Sequence, residues 1–460
     1  LQQKFRYLFL QNENNMQPVT IIIIYFILIL LIGVYSAFKI KSPSDYYVAG
    51  QNAGWLPVSG SLLATILGGS AILGTIELSQ QTGWPALWFL FCAALGLFVL
   101  TPLAKYVRRF GKYTLPELLG HFFGKRAETI SAVIIPVAWL GIVAAQIIAA
   151  AKIIAGLDVI SYNEAAIISG AVFILYTLIG GQMSILKTDT LQSVLIVFGL
   201  SALTFVSLQK NGTGTFETLH FSSLFNASFS VLDLIILMLT YSVTFVVGPD
   251  IYSRVFCARN EKTATRSIVT VAFILLPISF LLTYLGIFSG ESGEKEILSF
   301  AHTLLPSWFY GLFLAALLSA VMSSADTTLL TSSLILSELI SGNPDKRSSL
   351  KLTRILIVAL GGVSIVVALF VTSILQSLLL ALTFFSGAFV VPMLAGLLKL
   401  KVVKPQLTAA ILAGGFAALT GKIINVVVDP LAGNIVIITA FIVNGILLFI
   451  PFRTKYSKSD

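Results

Sequence analysis

Two cysteines and three histidines in 460 residues leave little material for a disulfide framework, a zinc site or a nucleophile–base pair. Cys92 and Cys257 fall in or beside apolar stretches with no partner spacing, and His121, His220 and His302 stand singly. No Cys/His or Ser/His constellation emerges, so an enzyme is not expected. Charge is equally scarce: Asp, Glu, Lys and Arg together make up 11% of the chain, against 57% hydrophobic residues, far from the composition of a soluble domain. The net charge of +9 comes from cations scattered over many short segments rather than gathered on one face, which argues against nucleic acid as a partner.

What is abundant is apolar sequence in lengths that cross a bilayer. Thirteen spans are expected, at 18–38, 54–79, 85–104, 127–156, 161–182, 189–208, 231–256, 265–289, 308–341, 352–373, 375–399, 406–427 and 434–452. Most of the 29 Lys and Arg fall into the segments that lie inside if the N-terminus is outside, Arg254 among them. That bias predicts an external N-terminus, a cytoplasmic C-terminus and residence in a plasma (inner) membrane, with the lipid bilayer as an obligatory partner and no obligate protein partner evident. The first methionine is Met16, so residues 1–17 are read as a tail that includes sequence upstream of the natural start.

The 308–341 span carries the densest polar cluster, Ser323-Ser324-Ala-Asp326-Thr327-Thr328. Polar groups at membrane depth are costly and usually functional. Ala320, Ser323, Ser324 and Thr327 share a helix face by their i, i+3, i+4 and i+7 spacing, so a carbonyl and three hydroxyls can converge on one point. An oxygen-only donor set suits a hard cation. The competing reading is that the hydroxyls bond back to i−4 carbonyls.

Two spans are interrupted. The first reads Ala64-Thr-Ile-Leu67-Gly68-Gly69-Ser70, with a double glycine at mid-span. The second reads Tyr241-Ser-Val-Thr244-Phe-Val-Val-Gly248-Pro249-Asp250, where proline removes a backbone donor. Each break heads a set of five spans, and an odd number per set inverts the second relative to the first. Matched breaks in inverted halves point to a midplane binding site. The organisation expected is a tail (1–17), a peripheral span (18–38), a first repeat with an outer loop (39–230), a second repeat (231–405), and two peripheral spans with a tail (406–460).

With Asp45-Tyr-Tyr-Val-Ala-Gly50, Gly181-Gln-Met-Ser-Ile-Leu-Lys-Thr-Asp189-Thr-Leu-Gln192, Gly248-Pro-Asp-Ile251 running to Arg254, and Ser323-Ser-Ala-Asp-Thr327 in this order, the chain resembles the sodium/solute symporter family from about residue 19 to 452. The resemblance implies an all-α polytopic protein of the leucine-transporter type, a five-plus-five inverted repeat of about thirteen helices. It also implies co-transported sodium, held by the carbonyls of Ala64, Leu67 and Ala320 and the hydroxyls of Ser323 and Ser324. Asp189 matches a position tied to ion coupling in some members, where a second sodium site uses serine or threonine at the positions of Asp326 and Thr327. Aspartate at 326 departs from that pattern. Asp189 as a helix N-cap, and Asp326 paired with a cytoplasmic Lys or Arg, are the alternatives. A solute pocket is expected from Gly68, Gln146, Tyr241, Thr244, Gly248, Pro249 and Phe384, with Gln146 read equally as a helix-to-helix hydrogen-bond donor. The polar residues that sugar transporters place on the first broken span are missing, which leaves a small amino acid, carboxylate or similar solute.

The expected function is therefore sodium-coupled import of a small organic solute by alternating access. Proton coupling through Asp189 or Asp326, and a transporter-like sensor, are the alternatives. A channel would need a continuous polar pore or a ring of carboxylates, and the sequence offers neither.

Overall fold

The computed structural model describes residues 2–110, 114–157, 159–211, 214–291, 296–342, 347–371 and 373–451. Its principal helices are α1 (Gln2–Ala37), α2 (Trp55–Ile66), α3 (Gly69–Thr82), α4 (Leu87–Phe110), α5 (Lys125–Ala155), α6 (Tyr162–Asn211), α7 (Val231–Leu237), α8 (Thr244–Val247), α9 (Pro249–Cys257), α10 (Glu261–Glu291), α11 (Ser307–Ser341), α12 (Arg347–Phe370), α13 (Ile374–Leu397), α14 (Leu407–Val427) and α15 (Pro430–Phe449). α1 begins within the segment expected as a tail. The residues expected as the extreme C-terminal tail, 452–460, and Gly212 and Thr213 lie outside the described residues.

Helix ends follow local chemistry. Asp429 caps α15 by accepting from the Ala432 amide at 2.6 Å, with Pro430 at the first helical position. Gly342, at φ 67°, ends α11 in the left-handed conformation. α11 spans 35 residues, about 52 Å at 1.5 Å per residue, and its most apolar window is 83% buried, against 28% for α1 and for α12. α11 is thus the axis of the bundle, whereas the apolar outer faces of α1 and α12 are left for lipid.

Among the described residues eleven helices are long and apolar enough to cross a membrane, or twelve if α2 and α3 are one bent span. That is fewer than the thirteen expected. The difference lies in α6, expected as two spans at 161–182 and 189–208 but built as one helical stretch interrupted at Gly181 (φ 52°, ψ −166°). The chain doubles back there, because the Tyr176 hydroxyl meets both Ser184, at 3.2 Å, and Thr188, eight and twelve residues on. A straight helix would separate Tyr176 from Thr188 by about 18 Å.

Both expected breaks are present, each shifted by a residue. Leu67 (φ −80°, ψ 42°) and Gly68 (φ −62°, ψ 164°) leave the helix, Gly69 already begins α3, and the two halves meet at 46°. In the second span α8 runs through Val247, and Gly248 alone is extended (φ −70°, ψ 131°) before Pro249 starts α9. A single π-helical turn at Met238–Ser242 also precedes α8.

Gly181 and Gly124 provide a matched test of backbone against packing. Gly124 (φ 94°, ψ 175°) has open space where a Cβ would stand, whereas at Gly181 a Cβ would lie 2.5–2.8 Å from the Tyr46 ring. Gly124→Ala is expected to cost only the backbone term of about 1–3 kcal/mol. Gly181→Ala should cost more and lower the thermal unfolding midpoint further, measured on both variants in the same detergent.

Candidate functional site

The break between α2 and α3 leaves the last carbonyls of α2 without their i+4 amide donors. One of them, Thr65 O, accepts from Ser324 Oγ of α11 at 2.6 Å. That approach requires glycine at 68: a Cβ there would run into Ser324 Oγ and lie 2.9 Å from its Cβ. Ala64, Leu67, Ala320, Ser323 and Ser324 are all buried.

The three hydroxyls expected to converge on one face of α11, those of Ser323, Ser324 and Thr327, divide between two neighbouring environments. Ser324, with Thr328 one turn on, faces the break and the adjoining cavity. Ser323 instead stands beside the Asp189 carboxyl, with its Oγ meeting no partner in hydrogen-bonding geometry. Thr327 donates to the Ser323 carbonyl at 3.0 Å and to Asp326 Oδ1 at 3.3 Å, and accepts from the Arg254 guanidinium.

Asp189 lies in mid-helix and is fully buried, so it caps no helix. Its Oδ2 accepts from Ser61 Oγ and from Arg254 Nη2, the latter at 3.1 Å. Arg254, counted from sequence among the cytoplasmic cations, is likewise fully buried, and further donates to Ser61 Oγ at 3.0 Å and Ser253 Oγ at 3.2 Å. The guanidinium therefore stands in contact with Asp189 and Thr327, two of the three residues nominated for a second ion. Asp189 Oδ1 and Asp326 Oδ2 are buried without hydrogen-bond partners. Asp326 bonds Thr327 rather than a Lys or Arg. Sequence reasoning missed this role of Arg254, although an arginine four residues beyond Asp250 in an apolar segment was the available signal.

Beside Ser324 lies a cavity of about 60 Å³ whose wall includes Thr65, Ser70, Gln146, Tyr241, Thr244 and Asp250. Both breaks thus open on one space. Gln146 lines the cavity and bonds from helix to helix, donating to Ser70 Oγ at 2.7 Å while its Oε1 accepts from the Ser70 amide at 3.4 Å. The Tyr241 ring is stacked on Phe89 at 4.2 Å and edge-on to Phe245 at 5.0 Å, and Thr244 Oγ1 is tied to the Tyr241 carbonyl at 2.6 Å. Gly68, Gly248 and Pro249 shape the breaks rather than the wall. Phe384 is not brought to the cavity: it packs against Phe416 of α14, and α13 instead contributes Leu378 and Leu382. Phe384 is two residues past Leu382, about 200° around the helix, which turns it to the opposite face. Asp250, which forms no ion pair among the described residues, adds a carboxylate to the wall that sequence reasoning had not assigned to it.

Two broken helices around a common cavity, packed against an unbroken polar helix, define a secondary transporter of the leucine-transporter fold. A substrate-bound outward-open structure of a Na+-coupled sialic acid symporter superposes with a TM-score of 0.76 at 17% identity, covering 93% of this chain and 96% of that one. The chain belongs to the sodium:solute symporter family, whose profile it matches over residues 46–414. It is a sodium-coupled symporter, and sodium is its co-transported ion. A sodium/proline symporter of Haemophilus influenzae is 26% identical over 389 residues, 75% of this chain and 76% of that protein. An uncharacterized symporter of Bacillus subtilis, YwcA, is 23% identical, covering 78% of this chain and 76% of that protein.

Removing Arg254 should expose how much the buried cluster matters. Arg254→Met leaves Asp189 and Asp326 buried with no cation and is expected to destabilise the protein by about 3–5 kcal/mol. Adding Asp189→Asn to it should recover most of the loss. Unfolding midpoints of the two single variants and the double variant measure the coupling.

Proposed function

We propose that the chain imports a small amine-bearing solute, such as an amino acid, together with sodium across a plasma (inner) membrane, with its N-terminus outside and C-terminus cytoplasmic. Sodium is held by the carbonyls of Ala64, Leu67 and Ala320 and the hydroxyls of Ser323 and Ser324. The observation that carries this reading is the Ser324–Thr65 hydrogen bond, which brings one hydroxyl of α11 to the freed carbonyls of the first break. Neutral oxygens suit an ion that has to leave again on the inside. The arrangement spans two helices, so an ion that completes its coordination in only one conformation shifts the equilibrium toward it.

The solute occupies the cavity between the breaks. Its polar wall offers the Gln146 amide, the Ser70 hydroxyl and the Asp250 carboxylate, and an unpaired carboxylate favours a partner that carries an ammonium group. At about 60 Å³ the cavity takes a few waters, so a solute requires the walls to part. The two five-span sets, 39–230 and 231–405, supply one break each and form the inverted repeats that move relative to one another, flanked by peripheral spans at 18–38 and 406–460. The cluster of Asp189, Asp326 and Thr327 couples to this movement with Arg254 as its resident cation.

A thermal-shift screen of small amino acids, with and without sodium, identifies the solute by stabilisation that depends on sodium. For uptake of that solute into vesicles, the membrane potential contributes about 2.3 kcal/mol per 100 mV and a tenfold sodium gradient about 1.4 kcal/mol. Uptake should fall when either is collapsed. Uptake indifferent to replacing sodium with potassium but abolished by removing a pH gradient would overturn the reading in favour of proton coupling. Ser323→Ala and Ser324→Ala should each raise the sodium concentration for half-maximal uptake about 13- to 160-fold, the scale of a lost hydrogen bond to a charged group. Ser332→Ala and Ser333→Ala serve as controls, because those hydroxyls bond the Thr328 and Leu329 carbonyls of their own helix, and should stay near the parent.

A further inference from the structure

Helix α13, which turns Leu378 and Leu382 into the central cavity, continues unbroken through Pro392. Proline has no amide hydrogen, so the carbonyl of Ala388, one turn earlier, loses its donor within the helix. Ala388 is fully buried, and a carbonyl left unsatisfied there is costly. The missing donor comes from the last span. Asn444 of α15, itself fully buried, donates through Nδ2 to the Gly387 carbonyl at 2.6 Å and to the Ala388 carbonyl at 3.2 Å. Glycines make room for this approach: a Cβ on Gly387 would stand 2.6 Å from the Gly414 carbonyl of α14, and one on Gly414 would stand 2.5 Å from Asn444 Nδ2. Asn444 Oδ1, by contrast, is buried with no hydrogen-bond partner among the described residues. An aliphatic side chain would fill the same space without burying an unpaired oxygen, so packing alone does not account for an asparagine, whereas its two N–H groups, both directed at α13, do. Nearer the start of α15, Asn434 Nδ2 donates to Asp233 Oδ1 of α7 at 2.9 Å, and α7 leads into the turn that carries Tyr241. Two asparagines thus tie α15 to two elements that reach the cavity.

We propose that Asn444 is a positioning residue for the solute cavity. By standing in for the amide that Pro392 lacks, it fixes α13, with Leu378 and Leu382, against α14 and α15, which thereby belong to the framework of the site rather than to a lipid-facing periphery. The assignment rests on the reading of that cavity as the solute's only for what α13 presents there, and its test uses neither solute nor sodium.

A double-mutant cycle in the full chain in detergent tests it. Asn444→Ala leaves the Ala388 carbonyl without a donor, whereas Pro392→Ala returns the helix's own amide and makes Asn444 dispensable. Two quantities are read on the parent, both single variants and the double variant. One is amide hydrogen exchange over residues 384–397. The other, in a Leu378→Cys background, is the rate at which that cavity-wall thiol reacts with a methanethiosulfonate reagent, the two native cysteines being buried. Asn444→Ala is expected to speed both about fivefold or more, the scale of one buried carbonyl left unsatisfied, and adding Pro392→Ala should bring both back near the parent. Asn434→Ala is the control on the same helix and should show no coupling to Pro392→Ala, because effects add at sites that share no partner. Exchange or labelling unchanged in Asn444→Ala, a defect that Pro392→Ala does not reverse, or equal coupling with Asn434→Ala overturns the proposal. Should Asn444→Ala fail to fold, Pro392→Ala is expected to restore monodisperse protein, and a double variant that stays misfolded overturns the proposal as well. Failure of the solute-site reading has a different signature, no sodium-dependent stabilisation by any small amino acid, and leaves the exchange and labelling results unchanged.

Discussion

The ion pair between Asp189 and Arg254 is the constraint on which the rest of this architecture depends. Taking a carboxylate and a guanidinium out of water costs several kcal/mol per ion, and the mutual attraction offsets this only with good geometry and further hydrogen bonds. Arg254 supplies that geometry, because its planar fork reaches Asp189, Ser61, Ser253 and Thr327 at once. Those residues lie on α6, α2, α9 and α11, so one guanidinium ties both broken spans to the long helix and to the part of α6 beyond its bend. A second acid, Asp326, sits in the same enclosure, hydrogen-bonded through Oδ1 to Thr327.

The breaks make the site by withholding something from the backbone. Where α2 ends, carbonyls face outward with no amide to receive them, and a hydroxyl from α11 takes the place of the missing donor. Where α8 ends, Gly248 and Pro249 turn the chain so that Asp250 reaches the same cavity. Polar groups are thus concentrated at mid-bundle without breaking α11, whose own serines and threonines largely satisfy themselves by bonding back one turn, as Thr328 and Ser332 do. Within the run 323–328 the hydroxyls divide residue by residue: Thr327 and Thr328 bond back to the carbonyls of Ser323 and Ser324, Ser324 reaches across to Thr65, and Thr327 also accepts from Arg254.

Much of this was legible in sequence because glycine and proline leave strong local signals. Gly68 and Gly248 mark the breaks to within a residue, and the order of motifs gives the fold. Side-chain direction was less legible. Phe384 and Leu382 are two positions apart, yet only Leu382 meets the cavity, and the face of α13 turned inward is set by packing against α5 and α14. Arg254 was assigned to water because counting cations by segment treats every arginine near a helix end as solvated. The π-helical turn at Met238–Ser242 has no composition to announce it. Tyr241, which lies in it, stacks on Phe89.

Helix contacts in this bundle are held by different physics. Around Arg254 the contact is polar and multiple: besides the guanidinium cluster, Ala53 exchanges backbone hydrogen bonds with Cys257 and Arg259 at 2.9 Å each, and the Arg108 side chain donates to the Ala258 carbonyl at 2.5 Å. Where α3 meets α13, Leu375 rests on Gly74, an apolar contact of the kind that contributes only fractions of a kcal/mol per atom pair. Separating the helices around Arg254 requires several hydrogen bonds and a buried charge to find new partners together, whereas parting Leu375 from Gly74 breaks apolar contacts alone.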